Sequence, residues 1–559
     1  MTNMTNISES SKMNVCNSDM TFEDCELAIL RQAVDENRKL QGKKMANSEE
    51  IQKIIKILED FLVKKKCICY GGTAINNILP SNVQFYDRSI ETPDYDFYSM
   101  EPMRDAKELA DIYYNAGYID VEAKAGVHYG TFKVFVNFIP IADITLLHKQ
   151  IFESILKDSI TISGIMYAPP NFLRLSMYLE LSRPNGDVSR WEKVLNRLTL
   201  LNKYYPLHPK INCNLIDFQR KMETNKEKST QIYYIIRDSF INQGVIFFGG
   251  YAASLYSKYM FKSEKEIVKK IPDFDVLSED PERTANIIIE QLKENDIHDV
   301  YKIQHDQIGE LIPKHVEIRV GKDTLAFIYE PIACHNYNII VIKDKEIKVA
   351  SIDTILSFYL AFYYSDDPYP AKFKERMLCI AKFLFEVEEK NRLNRSGLLK
   401  RFSVNCYGKQ STIEEIRAEK VKKFEELKNN RNSEEYNMWF LKYNPNKKES
   451  EIKNKKENKK ENKIESKKES EIEKESEIEK ESEIEKESEI EKESEIEKES
   501  EIENKKESKK EKQNKKNPKL QIPSKKKRKK PIQKQFSYYQ SKTRKNKKSL
   551  PFFTFRYTD

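Results

Sequence analysis

One short pattern occurs twice in this chain, and that duplication limits what the chain can fold into more than any other feature. The first copy reads Ile68-Cys69-Tyr70-Gly71-Gly72-Thr73-Ala74, followed by Pro93-Asp94-Tyr95-Asp96. The second reads Ile246-Phe247-Phe248-Gly249-Gly250-Tyr251-Ala252, followed by Pro272-Asp273-Phe274-Asp275. Gly71 precedes Asp94 by 23 positions and Gly249 precedes Asp273 by 24. An apolar run ending in two glycines that open a helix, then a β-prone Asp-x-Asp, predicts an α/β (α+β) fold with two tandem domains. Each is a mixed sheet with flanking helices.

The residues of the first copy suit phosphate and cation chemistry. Two glycines allow close backbone approach, and a helix start presents unpaired N–H groups to an anion. A Gly-Gly turn alone is more often structural. On a strand, Asp94 and Asp96 face the same side, and two like charges side by side need solvent or a cation. An isolated Asp-x-Asp is more often a solvated strand end. Asp143 interrupts the apolar, β-prone run 134–145, where a buried carboxylate needs a partner; a backbone amide or a lysine is the bland alternative. If that strand lies beside Asp94 and Asp96, three acids can hold two metal ions for in-line transfer of a nucleotidyl group.

Gly-Gly-Thr, Asp-Tyr-Asp and a later lone strand aspartate, in that order, resemble the DNA polymerase β-like nucleotidyltransferases. The stretch 51–201 is similar to catalytic subunits of poly(A) polymerases from poxviruses and giant amoebal viruses. The turn Leu181-Ser182-Arg183-Pro184 and the following Arg190-Trp191-Glu192-Lys193 are similar to the giant-virus group, and the resemblance spans about 46–405. It implies a template-independent polynucleotide adenylyltransferase that adds AMP from ATP to RNA 3′ ends. Asp94, Asp96 and Asp143 would be catalytic and would hold Mg²⁺ or Mn²⁺. Gly71, Gly72 and Thr73 would cradle the triphosphate, with Lys193 or Arg183 touching phosphate or base; surface ion pairs are the alternative for those two. RNA and ATP are the implied partners, with a homodimer or a processivity subunit as further candidates, and the implied location is the viral factory in host cytoplasm or the virion. Uridylyl transfer, CCA addition and antibiotic modification use the same triad, and an inactive RNA-binding scaffold of this fold is a reading from another class.

The second copy departs from the pattern. Pro331-Ile332-Ala333-Cys334 lines up with Pro140-Ile141-Ala142-Asp143, so a neutral thiol, a poor ligand for Mg²⁺, stands at the third-acid position. Glu330 is the alternative third acid, four places earlier. A degenerate, non-catalytic domain that closes the cleft and holds RNA or a partner is expected.

Periodicity divides the chain into a polar segment 1–45 with a short helix over 25–34, a catalytic domain with a helical extension over 46–205, and a degenerate domain over 206–407. A helical segment 408–448 and a low-complexity tail 449–559 follow. Within the catalytic domain, Ile51, Ile54, Ile55, Ile57, Leu58, Phe61 and Leu62 recur at helical spacing. Five copies of Glu-Ile-Glu-Lys-Glu-Ser fill 471–500, a period that gives no continuous apolar stripe and predicts a disordered or solvated spacer. The net charge of +8 on 559 residues says little. The basic run 515–548, with Lys525-Lys526-Lys527-Arg528-Lys529-Lys530, favours polyanions, with nuclear import as the rival reading. The acidic tract could fold back on it and tune its hold on RNA. Eight scattered cysteines fit a reducing compartment, and no run approaches the roughly 20 apolar residues of a membrane span, so a soluble intracellular protein is expected.

Overall fold

The computed structural model describes residues 15–17, 19–216, 226–268, 274–365 and 371–446, all within one compact unit. The repeat tract, the basic run and Asp273 lie outside the described residues.

Helix α1 (Phe22–Ala46) is longer than the 25–34 expected, because Thr21 caps its start by accepting from the Asp24 amide and good helix formers continue to Ala46. None of its residues is buried. Helix α2 (Glu49–Lys65) turns Ile51, Ile54, Leu58, Phe61 and Leu62 into the core, each gaining roughly 1.5–3 kcal/mol from burial. Lys66, left-handed at φ 56°, ends it and sends the chain into the first strand.

That strand, β1 (Ile68–Tyr70), leads directly into α3 (Gly71–Ile78), with Gly71 at φ +76° making the corner. Strands β2 (Tyr95–Ser99), β3 (Val121–Ala125), β4 (Thr131–Val136), β5 (Ile139–Leu146), β6 (Ile160–Ile162) and β7 (Ile165–Tyr167) follow, with α4 (Pro102–Asn115) and α5 (Lys149–Lys157) between them. The run expected as one strand around Asp143 is a hairpin. Asn137 and Phe138 both adopt positive φ, 49° and 64°, in a two-residue turn that joins β4 to β5. Two helices, α6 (Pro170–Leu181) and α7 (Trp191–Tyr204), close the first half, separated at the Arg183-Pro184-Asn185-Gly186 break.

The second half repeats this plan. Helix α8 (Lys226–Gln243) precedes β8 (Ile246–Phe247), α9 (Gly250–Tyr256) and α10 (Lys262–Val268). Then come β9 (Phe274–Leu277), α11 (Pro281–Glu294), β10 (Val300–His305), β11 (His315–Val320), β12 (Asp323–Tyr329), β13 (His335–Ile342) and β14 (Lys345–Ala350). Helices α12 (Ile352–Tyr364) and α13 (Ala371–Lys390), strand β15 (Cys406–Tyr407), helices α14 (Ile413–Leu427) and α15 (Glu434–Phe440) and strand β16 (Lys442–Tyr443) finish it.

The two sheets share one topology. The first runs β3-β4-β5-β2-β1-β7-β6 with β16 added at the β3 edge, and the second runs β10-β11-β12-β9-β8-β14-β13 with β15 added at the β13 edge. The senses agree strand for strand: β2 with β5 and β9 with β12 are parallel, while β1 with β2 and β8 with β9 are antiparallel. Helix α12, mostly apolar and buried along its whole length, packs between the halves against α6 and α13, with its buried Asp353 paired to Arg401. The Asn336 amide donates to the Ser182 carbonyl at 2.8 Å across the same junction. The final segment returns to the first half: β16 pairs with β3, and the Tyr443 hydroxyl donates to Asp111 at 2.6 Å.

Six of the eight cysteines are paired. Cys16–Cys25, Cys213–Cys379 and Cys334–Cys406 are disulfides, two of them closing residues far apart in sequence, which spacing alone hides. Cys67 and Cys69 are buried thiols, and burial pushes the Cys67 pKa up to about 12, so neither is a ready nucleophile.

Candidate active site

Three carboxylates meet at the start of β2. Asp96 and Asp143 are direct neighbours across the parallel β2–β5 pair, so both side chains leave the same face. Asp94, two residues before Asp96, stands just ahead of the strand, and its carbonyl accepts from the Thr73 hydroxyl at 2.6 Å. That bond ties the third residue of the Gly-Gly turn to the acids. On the other flank Tyr70, the last residue before Gly71, pairs with Asp96.

Their electrostatics is unbalanced. Asp96 is 4% exposed, and its Oδ1 has no hydrogen-bond partner. Burial first, then Asp94 and Asp143, push its pKa well above the usual carboxylate range, against the opposing pull of Lys133 and Arg190. Lys133, opposite Asp143 on β4, forms an ion pair with Asp143. Among the described residues no group of three or more His, Cys, Asp or Glu is already gathered around an ion point, and the Lys133 ammonium on Asp143 is a physical reason. A buried carboxylate oxygen without a partner, beside two further carboxylates, is nevertheless the donor chemistry of a hard divalent cation.

The glycine turn faces a basic helix. A Cβ added at Gly72 would lie 2.5 Å from Tyr86 Oη and 2.8 and 3.0 Å from the two terminal nitrogens of Arg197. Arg197 and Tyr86 were missed in the sequence. Arg197 does carry a legible signal: it interrupts the buried stripe Val194, Leu198, Leu201 of α7, where a charge is out of place without a purpose. Arg190, at the start of α7, pairs with Glu180 at 3.0 Å. Lys193 is exposed in the first turn of α7, on the same helical face as Arg197. Arg183 is 3% exposed and lies beside His335 of the second half, where its charge helps hold the imidazole pKa far below its normal value after burial itself.

The second copy lacks this arrangement, for a reason that differs from the sequence alignment. The residue in register with Asp275 is Phe327, as Asp143 is with Asp96; Cys334 lies beyond the strand, bonded to Cys406. Matching Pro-Ile-Ala to Pro-Ile-Ala placed Cys334 there, and strand register overrules it. Glu330 also falls past the end of β12. Glu317, opposite Phe327 on β11, has its carboxylate bonded by His305, Arg319 and Thr324 at 2.8, 2.6 and 2.5 Å, which holds its pKa down against burial.

A strand, a Gly-Gly turn opening a helix and one sheet topology recur in both halves as a nucleotidyltransferase fold, and among the described residues acids in register across these parallel neighbours occur in the first half alone. Over residues 56–187 the chain carries a domain matching the family described as poly(A) polymerase catalytic subunit. A protein of African swine fever virus, provisionally named a poly(A) polymerase catalytic subunit, is 33% identical over 180 residues, which cover 31% of this chain and 38% of the relative. One from Acanthamoeba polyphaga mimivirus, named in the same way, is 29% identical over 229 residues, covering 39% of this chain and 37% of the relative. The aligned stretch therefore spans under two fifths of these relatives. The crystal structure of the Megavirus polyadenylate synthase matches with a TM-score of 0.65 at 20% identity, over 80% of this chain and 89% of that one, a likeness of fold. Among the described residues no helix is long and apolar enough to cross a membrane.

Proposed function

We propose that the chain is a template-independent poly(A) polymerase that transfers AMP from ATP to RNA 3′ ends at its first half, acting in a viral factory or virion. The observation that carries this reading is the Asp96 carboxylate, buried and short of a partner, with Asp94 and Asp143 beside it and the Gly-Gly turn next to it. Asp94, Asp96 and Asp143 would hold Mg²⁺ or Mn²⁺. A divalent cation there supplies charge stabilisation at the α-phosphate and a more acidic 3′-hydroxyl. The chain's own groups prepare the ground. Thr73 fixes the Asp94 peptide, Lys133 holds Asp143 in place, and the Gly71-Gly72 turn brings helix N–H groups close enough to receive phosphate. Preorganised charge of this kind accelerates the reaction because no dipoles reorient during transfer.

The similarity of residues 56–187 to poly(A) polymerase catalytic subunits supports adenylyl over uridylyl transfer. Incubating the purified protein with an RNA primer and each nucleotide in turn tests it. ATP should support extension with Mg²⁺ or Mn²⁺ and lose it with EDTA. Extension by UTP in preference to ATP overturns the adenylyl assignment, and no extension with any nucleotide favours a scaffold of the same fold. Removing 449–559 should weaken RNA binding at moderate salt and shorten the tract while single additions persist.

A further inference from the structure

We infer that Arg197, held by Tyr86, grips the terminal phosphates of the incoming nucleoside triphosphate; this rests on the nucleotidyl-transfer reading above and names the residue that would select a triphosphate. The guanidinium lies directly against the Gly-Gly turn, in the space a side chain at Gly72 would fill. It is oriented before any ligand arrives: one terminal nitrogen donates to the Tyr86 hydroxyl at 2.6 Å, and the Phe85 ring lies 5.0 Å from the guanidinium carbon. The loop carrying both aromatics is fixed in turn. Asn76, one helical turn beyond Gly72 and 1% exposed, accepts the Phe85 and Tyr86 amides at 2.8 and 2.9 Å.

Arg197 is itself 5% exposed, a placement in which a planar fork loses little freedom when it binds an oxyanion. Arg190, at the N-cap of α7, and Lys193 precede Arg197 along the same helical face, and Arg190 also acts on the Asp96 carboxylate. A nucleoside triphosphate carries terminal phosphates that the Arg197 fork can bind, and a nucleoside monophosphate has none.

The test is equilibrium binding of ATP, ADP and AMP to the full chain in Mg²⁺, for wild type, Arg197→Met, Arg197→Lys and Tyr86→Phe, each checked for folding by circular dichroism. Arg197→Met should weaken ATP about ten- to a hundredfold and leave AMP within about twofold, so the preference for ATP collapses. Arg197→Lys should recover part of it, and Tyr86→Phe should lose it to a smaller degree. Should Arg197→Met not fold, the other two variants carry the same comparison. A folded Arg197 variant that keeps the wild-type ATP-to-AMP ratio, or that weakens both ligands equally, overturns the inference. Wild-type protein that binds no nucleotide instead sinks the nucleotidyl-transfer reading beneath it.

Discussion

The two halves of this chain share seven strands in the same order and sense, yet they handle buried negative charge in opposite ways. In the first half Asp96 is left with an unpartnered oxygen between two further carboxylates. In the second, the position in register with the third acid holds Phe327, and Glu317 is satisfied by a histidine, an arginine and a threonine. In the first half Lys133 pairs with Asp143 and leaves Asp96 short of a partner, while in the second Arg319 pairs directly with the buried Glu317. One architecture therefore carries two different arrangements of charge, as expected when a site is grafted onto a fold.

Substitutions can break this contrast, beginning with the strongest. Asp143→Asn should lower primer extension about a thousandfold or more, since it removes one of three converging charges and strands Lys133. Phe327→Leu in the second half should leave extension unchanged, and a comparable loss there would erase the distinction. Gly72→Ala forces Tyr86 and Arg197 aside and should raise the ATP KM about tenfold. Gly249→Ala meets Asp275 instead and should cost about 1–3 kcal/mol of stability in urea unfolding with KM unmoved.

A pH effect comes next. Burial and the neighbouring Glu386 raise the Glu264 pKa from 4.5 to about 7. The folded state therefore binds that proton more tightly than the unfolded chain. Stability falls as pH rises from about 4.5 to about 7 and is level beyond it. Thermal melts at pH 5 and 7.5 should differ by a few degrees for wild type, and Glu264→Gln should flatten the difference. The smallest effect belongs to Lys193→Ala: the side chain is exposed, and the ATP KM should change by no more than about threefold.

Much of this was legible in the residues. The helix 49–66, the Gly-Gly turns, the Asp94/Asp96 strand and the duplication follow from periodicity and local chemistry, and Asp143 stood out because a carboxylate in a β-prone apolar run needs a reason. What failed was long-range register. Nothing local says that Asn137 and Phe138 turn the chain, or that Phe327 and not Cys334 faces Asp275, because pairing between strands is fixed by contacts far apart in sequence. Tyr86 was hidden for the same reason, and Arg197 showed only as a charge in a buried helical stripe: 111 residues separate the two, and only folding brings both against Gly72. Disulfides closed over 72 and 166 residues belong to this class as well.

The most direct test of the central contrast is a primer-extension assay with ATP and Mg²⁺ on three proteins: wild type, Asp96→Asn and Asp275→Asn. These substitutions change the corresponding strand aspartate in each half. Wild type and Asp275→Asn should extend RNA at rates within about twofold of each other, while Asp96→Asn should fall by about a thousandfold or more. Equal losses in both variants, or full activity in Asp96→Asn, would contradict the assignment of the chemistry to the first half.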